Sequence, residues 1–183
     1  MRQILITLFA LIISTSAQAN DISVKFDEIA AGSTVTIRNS DGRVFTHLHT
    51  GQISPGVYGL DAYEGRSARG QPILTSEVDR DGNLLNRVSL SSGLTAEWRP
   101  HRCMRVVGRC SYVEIFPGEP AKRFTRINQV TADGFAYQVT DASGTIVLSG
   151  QTQLDPMGWP TAGAFQTDKS GVIQLRMLSS DYR

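Results

Sequence analysis

The sequence predicts an all-β protein, an antiparallel meander forming a β-sandwich or barrel from two similar halves. Three observations predict it: turn-forming clusters at short intervals, alternating runs rich in β-branched and aromatic residues between them, and no sustained helical periodicity beyond the N-terminal apolar run.

The turn clusters are Asn39-Ser40-Asp41-Gly42, Ser54-Pro55-Gly56, Asp79-Arg80-Asp81-Gly82-Asn83, Pro117-Gly118-Glu119-Pro120, Ala132-Asp133-Gly134, Asp141-Ala142-Ser143-Gly144 and Asp168-Lys169-Ser170-Gly171. In each, Gly supplies positive φ, Pro presets φ, or Asp and Asn bond their own backbone. Between them, Ile22, Val24 and Phe26 alternate with Ser23, Lys25 and Asp27 and read as a strand. Tyr112 to Phe116, Phe135 to Val139, Thr145 to Leu148 and Val172 to Leu178 read the same way.

The two halves come from a spaced self-match. Ser33, Val35 and Ile37 match Ser111, Val113 and Ile115, and one residue later in register Phe45, Thr46, Tyr58 and Gly65 match Phe124, Thr125, Tyr137 and Gly144. Shared spacing of this kind points to internal duplication, with units at about residues 31–91 and 92–183 of a single domain over 20–183.

The N-terminus has the three parts of a secretory signal peptide over residues 1–19. Arg2 gives a positive start, Ile4 to Ile13 (ILITLFALII) is apolar, and Ala17-Gln18-Ala19 forms a small-residue cleavage site. The apolar run is half the length of a spanning helix, and no Cys follows the site to carry a lipid. The mature chain is expected to begin at Asn20, to work in the periplasm or extracellular space and to contain no membrane span. Without Arg2 it carries 17 basic and 17 acidic residues, a balance that gives no footprint for nucleic acid. The first half to residue 97 is net −3 and the second net +3, a mild polarity along the chain.

Export places Cys103 and Cys110 in an oxidising compartment, where they are expected to form a disulfide. Closing so short a loop stabilises by about 2.5 kcal/mol in the chain-entropy treatment. The same segment, Trp98 to Arg109 (WRPHRCMRVVGR), carries Arg99, Arg102, Arg105 and Arg109 with no acidic residue. Guanidinium binds carboxylate and phosphate bidentately, so these four are the candidate anion-binding residues, expected on an exposed hairpin. A second candidate is the loop Leu154 to Gly163 (LDPMGWPTAG), where Met157 and Trp159 among Gly and Pro suit a ligand mouth, a partner contact or a plug for one end of the fold.

Other motifs carry less. His47 and His49 share one face of a strand, roughly 6.5–7 Å apart, but lack a third ligand, and a solvated polar face with Leu48 turned to the core is the expectation. In the self-match they correspond to Arg126 and Asn128. Asp79 to Asn83 opens like a calcium loop, yet the twelfth position is Leu90 where a bidentate Glu is needed, so a tight turn is expected. Gly65-Arg66-Ser67-Ala68-Arg69-Gly70 misses a nucleophile elbow by one position, and no zinc-protease, phosphate-loop or dinucleotide fingerprint occurs. The sequence therefore assigns no catalytic residue, no metal and no cofactor.

The function expected is that of an exported non-catalytic binding protein of the cell envelope or extracellular space, its ligand or protein partner left open. A hydrolase acting on envelope polymers and a structural subunit of an envelope assembly are the alternatives. Cavities, convergent carboxylates or a flat apolar patch would separate the three.

Overall fold

A computed structural model describes residues 22–89, 94–99, 103–168 and 171–183, with the side chains of 86–89 and 94–99 outside the description. The described residues are all-β and contain no helix. The strands are β1 (Thr34–Asn39), β2 (Val44–Ser54), β3 (Val57–Glu64), β4 (Leu74–Asp79), β5 (Leu84–Ser89) and β6 (Leu94–Arg99). They continue as β7 (Gly108–Ile115), β8 (Lys122–Thr131), β9 (Gly134–Asp141), β10 (Ile146–Leu154), β11 (Pro160–Thr167) and β12 (Ile173–Asp181).

Every strand pairs antiparallel with the next in sequence, so the sheet is one meander. β12 also pairs with β1, from Asn39↔Leu175 to Thr34↔Asp181, and the order of neighbours returns to its start. The division into two sheets, one from each half, is not observed. β6 pairs with β7 across the boundary between halves through Glu97↔Ile115, Trp98↔Glu114 and Arg99↔Val113. Residues equated in the self-match do fall on strands of matching rank. Phe45 and Phe124 lie on β2 and β8, Tyr58 and Tyr137 on β3 and β9, and Gly65 and Gly144 follow those strands.

The meander is set by one recurring turn. At Asn39–Arg43, Asp79–Asn83, Asp141–Thr145 and Asp155–Trp159 the first N–H donates to the fifth carbonyl, at 2.8–3.0 Å. The glycine N–H in fourth place donates back to the first carbonyl. In the last three turns the Asp side chain caps the loop: its Oδ1 accepts from the third and fifth backbone N–H groups, at 2.9–3.0 Å. The fourth residue is left-handed, a conformation that favours Gly and twists the hairpin in the sense the sheet needs.

The expected first strand at Ile22 to Asp27 is not a strand. Residues 22–33 instead enter the fold as a plug, with Val24, Phe26 and Ile29 packed against Val35, Ile37, Tyr58, Val78 and Trp159. Alternation is present because Ile22, Val24 and Phe26 are buried, but their backbone is paired to turns. Val24 N–H donates to the Asp81 carbonyl at 2.9 Å and Lys25 N–H to the Met157 carbonyl at 3.1 Å. The turns receive the plug closely. A Cβ on Gly82 would lie 2.8 Å from Val24 Cγ2, and one on Gly158 would overlap the Ser23 carbonyl.

Candidate anion-binding site

The candidate site lies where the Cys103–Cys110 loop folds over the sheet beside the plug. The disulfide is formed, with Cα atoms 5.4 Å apart. Asn128 on β8, 1% exposed, secures the same loop by donating from Nδ2 to the carbonyls of Val106 at 2.7 Å and Cys103 at 3.0 Å. On the other side Asn83, likewise buried, is oriented by Asp79 and accepts the Arg105 N–H at its Oδ1 at 2.8 Å. Residue 105 is thus fixed from the backbone outward by two loops and a disulfide.

The described part of the segment is largely exposed, at Met104, Val106, Val107 and Arg109, while Arg105 between them is half-buried. The Arg105 side chain turns inward, donates from Nη1 to the Ile22 carbonyl at 3.0 Å, and lies over the Phe135 ring at 5.3 Å. Arg109 is exposed on β7. The Arg99 side chain, Arg102 and His101 lie outside the described residues.

A second cation lies over Tyr137, the ring next to Phe135, at a residue that sequence reading did not select. Arg126 on β8 is 5% exposed, its Nε donates to Asn128 Oδ1 at 2.7 Å, and its guanidinium carbon lies 4.1 Å from the Tyr137 ring centre. Burial lowers the affinity of both guanidiniums for their proton. Desolvation brings Arg105 down to about 10, and the neighbouring Arg126 charge pushes the same way. Arg126 is lowered by desolvation, against the pull of Tyr137 and Tyr112. Desolvation first, with Glu114 nearby, pushes the Tyr112 hydroxyl up to about 12. Neither arginine belongs to an ion pair among the described residues, where the pairs are Arg43–Asp41, Arg80–Asp81, Lys122–Glu119 and Arg183–Asp181.

The strand alternation explains the set. Tyr112 faces Phe124, Cys110 faces Arg126, and Arg126 faces Val139 across β7, β8 and β9, so these side chains share one face. Tyr112 and Phe124 stack at 5.4 Å. Two guanidiniums thus sit in an aromatic surround. The signal for Arg126 was its self-match to His47, since both carry a polar group on a strand position that faces inward.

The histidines confirm that parity and reverse the expectation for them. His49 is 2% exposed, packs against Phe26 and Tyr58 at ring distances of 5.2 and 5.8 Å, and pairs through Nδ1 with the Ala30 carbonyl at 3.2 Å. Leu48, expected in the core, is on the opposite side of the strand and only half-buried. The plug supplies the apolar cover that makes a polar-looking strand face an interior one. Burial lowers the His49 pKa from 6.5, opposed by the backbone bonds to Ala30 and Ile29.

Trp159 is buried against Phe26, at 5.8 Å, and Met157 packs on the same cluster. Asp155, which caps their turn, also accepts the Tyr182 hydroxyl and ties the C-terminus to it. His49 Nε2 and Trp159 Nε1 are buried without a hydrogen-bond partner among the described residues. Asp79 to Asn83 forms a turn, and no group of three or more metal-ligating side chains occurs among the described residues.

Comparison with protein-family models, with curated proteins and with solved structures finds no match. No helix among the described residues is long and apolar enough to cross a membrane.

Proposed function

We propose that this is a non-catalytic binding protein that holds a small amphiphilic anion, its charged head at Arg105 and Arg126 and its apolar body among the neighbouring aromatics. The single observation that carries the reading is the pair of cations over adjacent rings, the half-buried Arg105 over Phe135 and the buried Arg126 over Tyr137, neither of them in an ion pair among the described residues. An unpaired buried charge is costly, and a second beside it adds repulsion. A carboxylate or phosphate between them offsets both, through the bidentate geometry guanidinium favours.

Tyr112, Phe124, Phe135 and Tyr137 support an amphiphile over a bare inorganic ion, because they give an apolar body a place to lie. The register supports one shared surface for the ligand, since Tyr112, Phe124 and Arg126 lie on the same face of β7 and β8. The leader-like residues 1–19 and the disulfide support an exported, oxidising setting. The reading is tested by titrating the mature protein with decanoate, decyl phosphate and the uncharged control decanol, in the wild type and in Arg126→Gln.

A further inference from the structure

A second feature lies on the outside of the sheet. Strands β10, β11 and β12 and the end of β1 line a cleft of about 890 Å³, within the range that takes a small-molecule ligand. Its shape follows from the register. One cross-strand row reads Gln153↔Ala162↔Arg176↔Arg38, and the next reads Gln151↔Ala164↔Gln174. In these two rows the central strand β11 therefore contributes only alanine, while both flanking strands contribute long polar side chains. With strands ~4.8 Å apart, the result is a trough roughly 10 Å wide with an alanine floor.

Gln151, Gln153, Gln174, Arg38 and Arg176 are exposed, while Ile37 next to Arg38 is buried in the core, which places the trough on the solvent side. Arg38 and Arg176 are direct cross-strand partners. Like charges so placed destabilise a sheet, and neither arginine is in an ion pair among the described residues. The one carboxylate lining the trough, Asp133, accepts Gln153 Nε2 at 2.6 Å.

We propose that this trough binds an acidic oligosaccharide, a chain of hexuronate units, with one carboxylate held by Arg38 and Arg176. The chemistry selects the class. The amides of Gln151, Gln153 and Gln174 and the Thr131 hydroxyl both donate and accept, as sugar hydroxyls do. The alanine floor lets a ring approach the sheet. The floor's backbone is already spent in the β10–β11 and β11–β12 ladders, so a peptide would gain no strand pairing. Two arginines beside one carboxylate are too few for a polyphosphate backbone, which calls for a run of cations.

The test is calorimetric titration of the full mature protein with a defined oligogalacturonate, with the carboxyl-reduced neutral oligosaccharide and with short polyphosphate. The expected result is binding of oligogalacturonate, at least tenfold weaker binding of the neutral form, and at least tenfold loss in Arg38→Gln/Arg176→Gln. Gln151→Ala should weaken both sugars. These exposed substitutions leave the fold intact, which the melting temperature checks, and Arg126→Gln should leave sugar binding unchanged, which separates this site from the interior one. The proposal is overturned if oligogalacturonate does not bind, if the double variant binds it as well as wild type, or if polyphosphate binds as tightly.

Discussion

Arg126 on β8 reaches diagonally over the ring of Tyr137 on β9, with the guanidinium carbon 4.1 Å from the ring centre. Their counterparts in the self-match, His47 and Tyr58, lie on β2 and β3. The neighbouring polar residue is buried in both halves, His49 at 2% exposure and Asn128 at 1%. In the first half Phe26 of the plug and Trp159 of the Asp155–Trp159 turn cover this face. In the second half the same face holds two cations. The contrast is the reason to place the ligand there.

Replacing Arg126 should cost little stability when no anion is present. Arg126→Gln loses a cation–π contact of up to about 2 kcal/mol but relieves a desolvated charge and its repulsion of Arg105. Urea unfolding in an anion-poor zwitterionic buffer should give a stability within about 1 kcal/mol of wild type. A loss of 3 kcal/mol or more would mean that the contacts of Arg126 with Asn128 and Tyr137 offset its burial without a ligand.

The plug makes a sharper demand on one glycine than on another in the same kind of turn. Gly158 has φ 82° and Gly144 has φ 86°, but only Gly158 abuts the Ser23 backbone. Gly144→Ala should cost about 1 kcal/mol from left-handed strain alone. Gly158→Ala should cost at least ~2 kcal/mol more, since the plug must move. Equal losses in chemical denaturation would show that residues 22–33 do not pack there.

Asn128 and the disulfide secure one loop from two sides, so their removal should not be additive. Asn128→Ala strands the Val106 and Cys103 carbonyls and should cost about 2–3 kcal/mol. Cys103→Ser/Cys110→Ser should cost about 2.5 kcal/mol. In the combined variant the sum should fall short by at least ~0.5 kcal/mol, because a loop already released has less to lose. Strict additivity would place the two restraints on independent structures.

His49 gives the protein a pH dependence of defined sign. Its folded pKa is depressed by burial below the unfolded value near 6.5, so the unfolded chain takes up the proton first. The stability from keeping it neutral is fully present above pH 6.5 and is lost as pH falls from there through the folded pKa. In His49→Phe that part of the acid destabilisation should vanish, read as the difference between the two stability profiles from pH 7.5 to 5. Parallel profiles would mean that His49 is protonated in the fold as readily as outside it.

The sequence made the meander legible because its turns are local. Asp79, Asp141 and Asp155 cap loops within four residues, and the glycine each turn needs is written beside them. The interior was less legible because it is made by segments far apart in the chain. Ile22 to Phe26 alternate like a strand but are buried against turns from residues 81 and 157, and nothing near Phe26 announces His49 or Trp159 as its neighbours. Charge clustering drew attention to the arginines that follow Trp98, whereas the buried cation beside Arg105 comes from β8. A polar residue on an inward strand position, as at Arg126, was the available signal, and it is visible only once the parity of Phe124 and Val139 is known.

The most direct test of the proposed anion site is isothermal titration of residues 20–183, disulfide intact, with decyl phosphate below its micelle concentration, with decanol alongside. The account predicts saturable binding of one decyl phosphate per chain, a loss of at least tenfold in affinity in Arg126→Gln and in Arg105→Gln, and no comparable binding of decanol. Decanol binding as tightly as decyl phosphate, or decyl phosphate binding unchanged in both arginine variants, would contradict it.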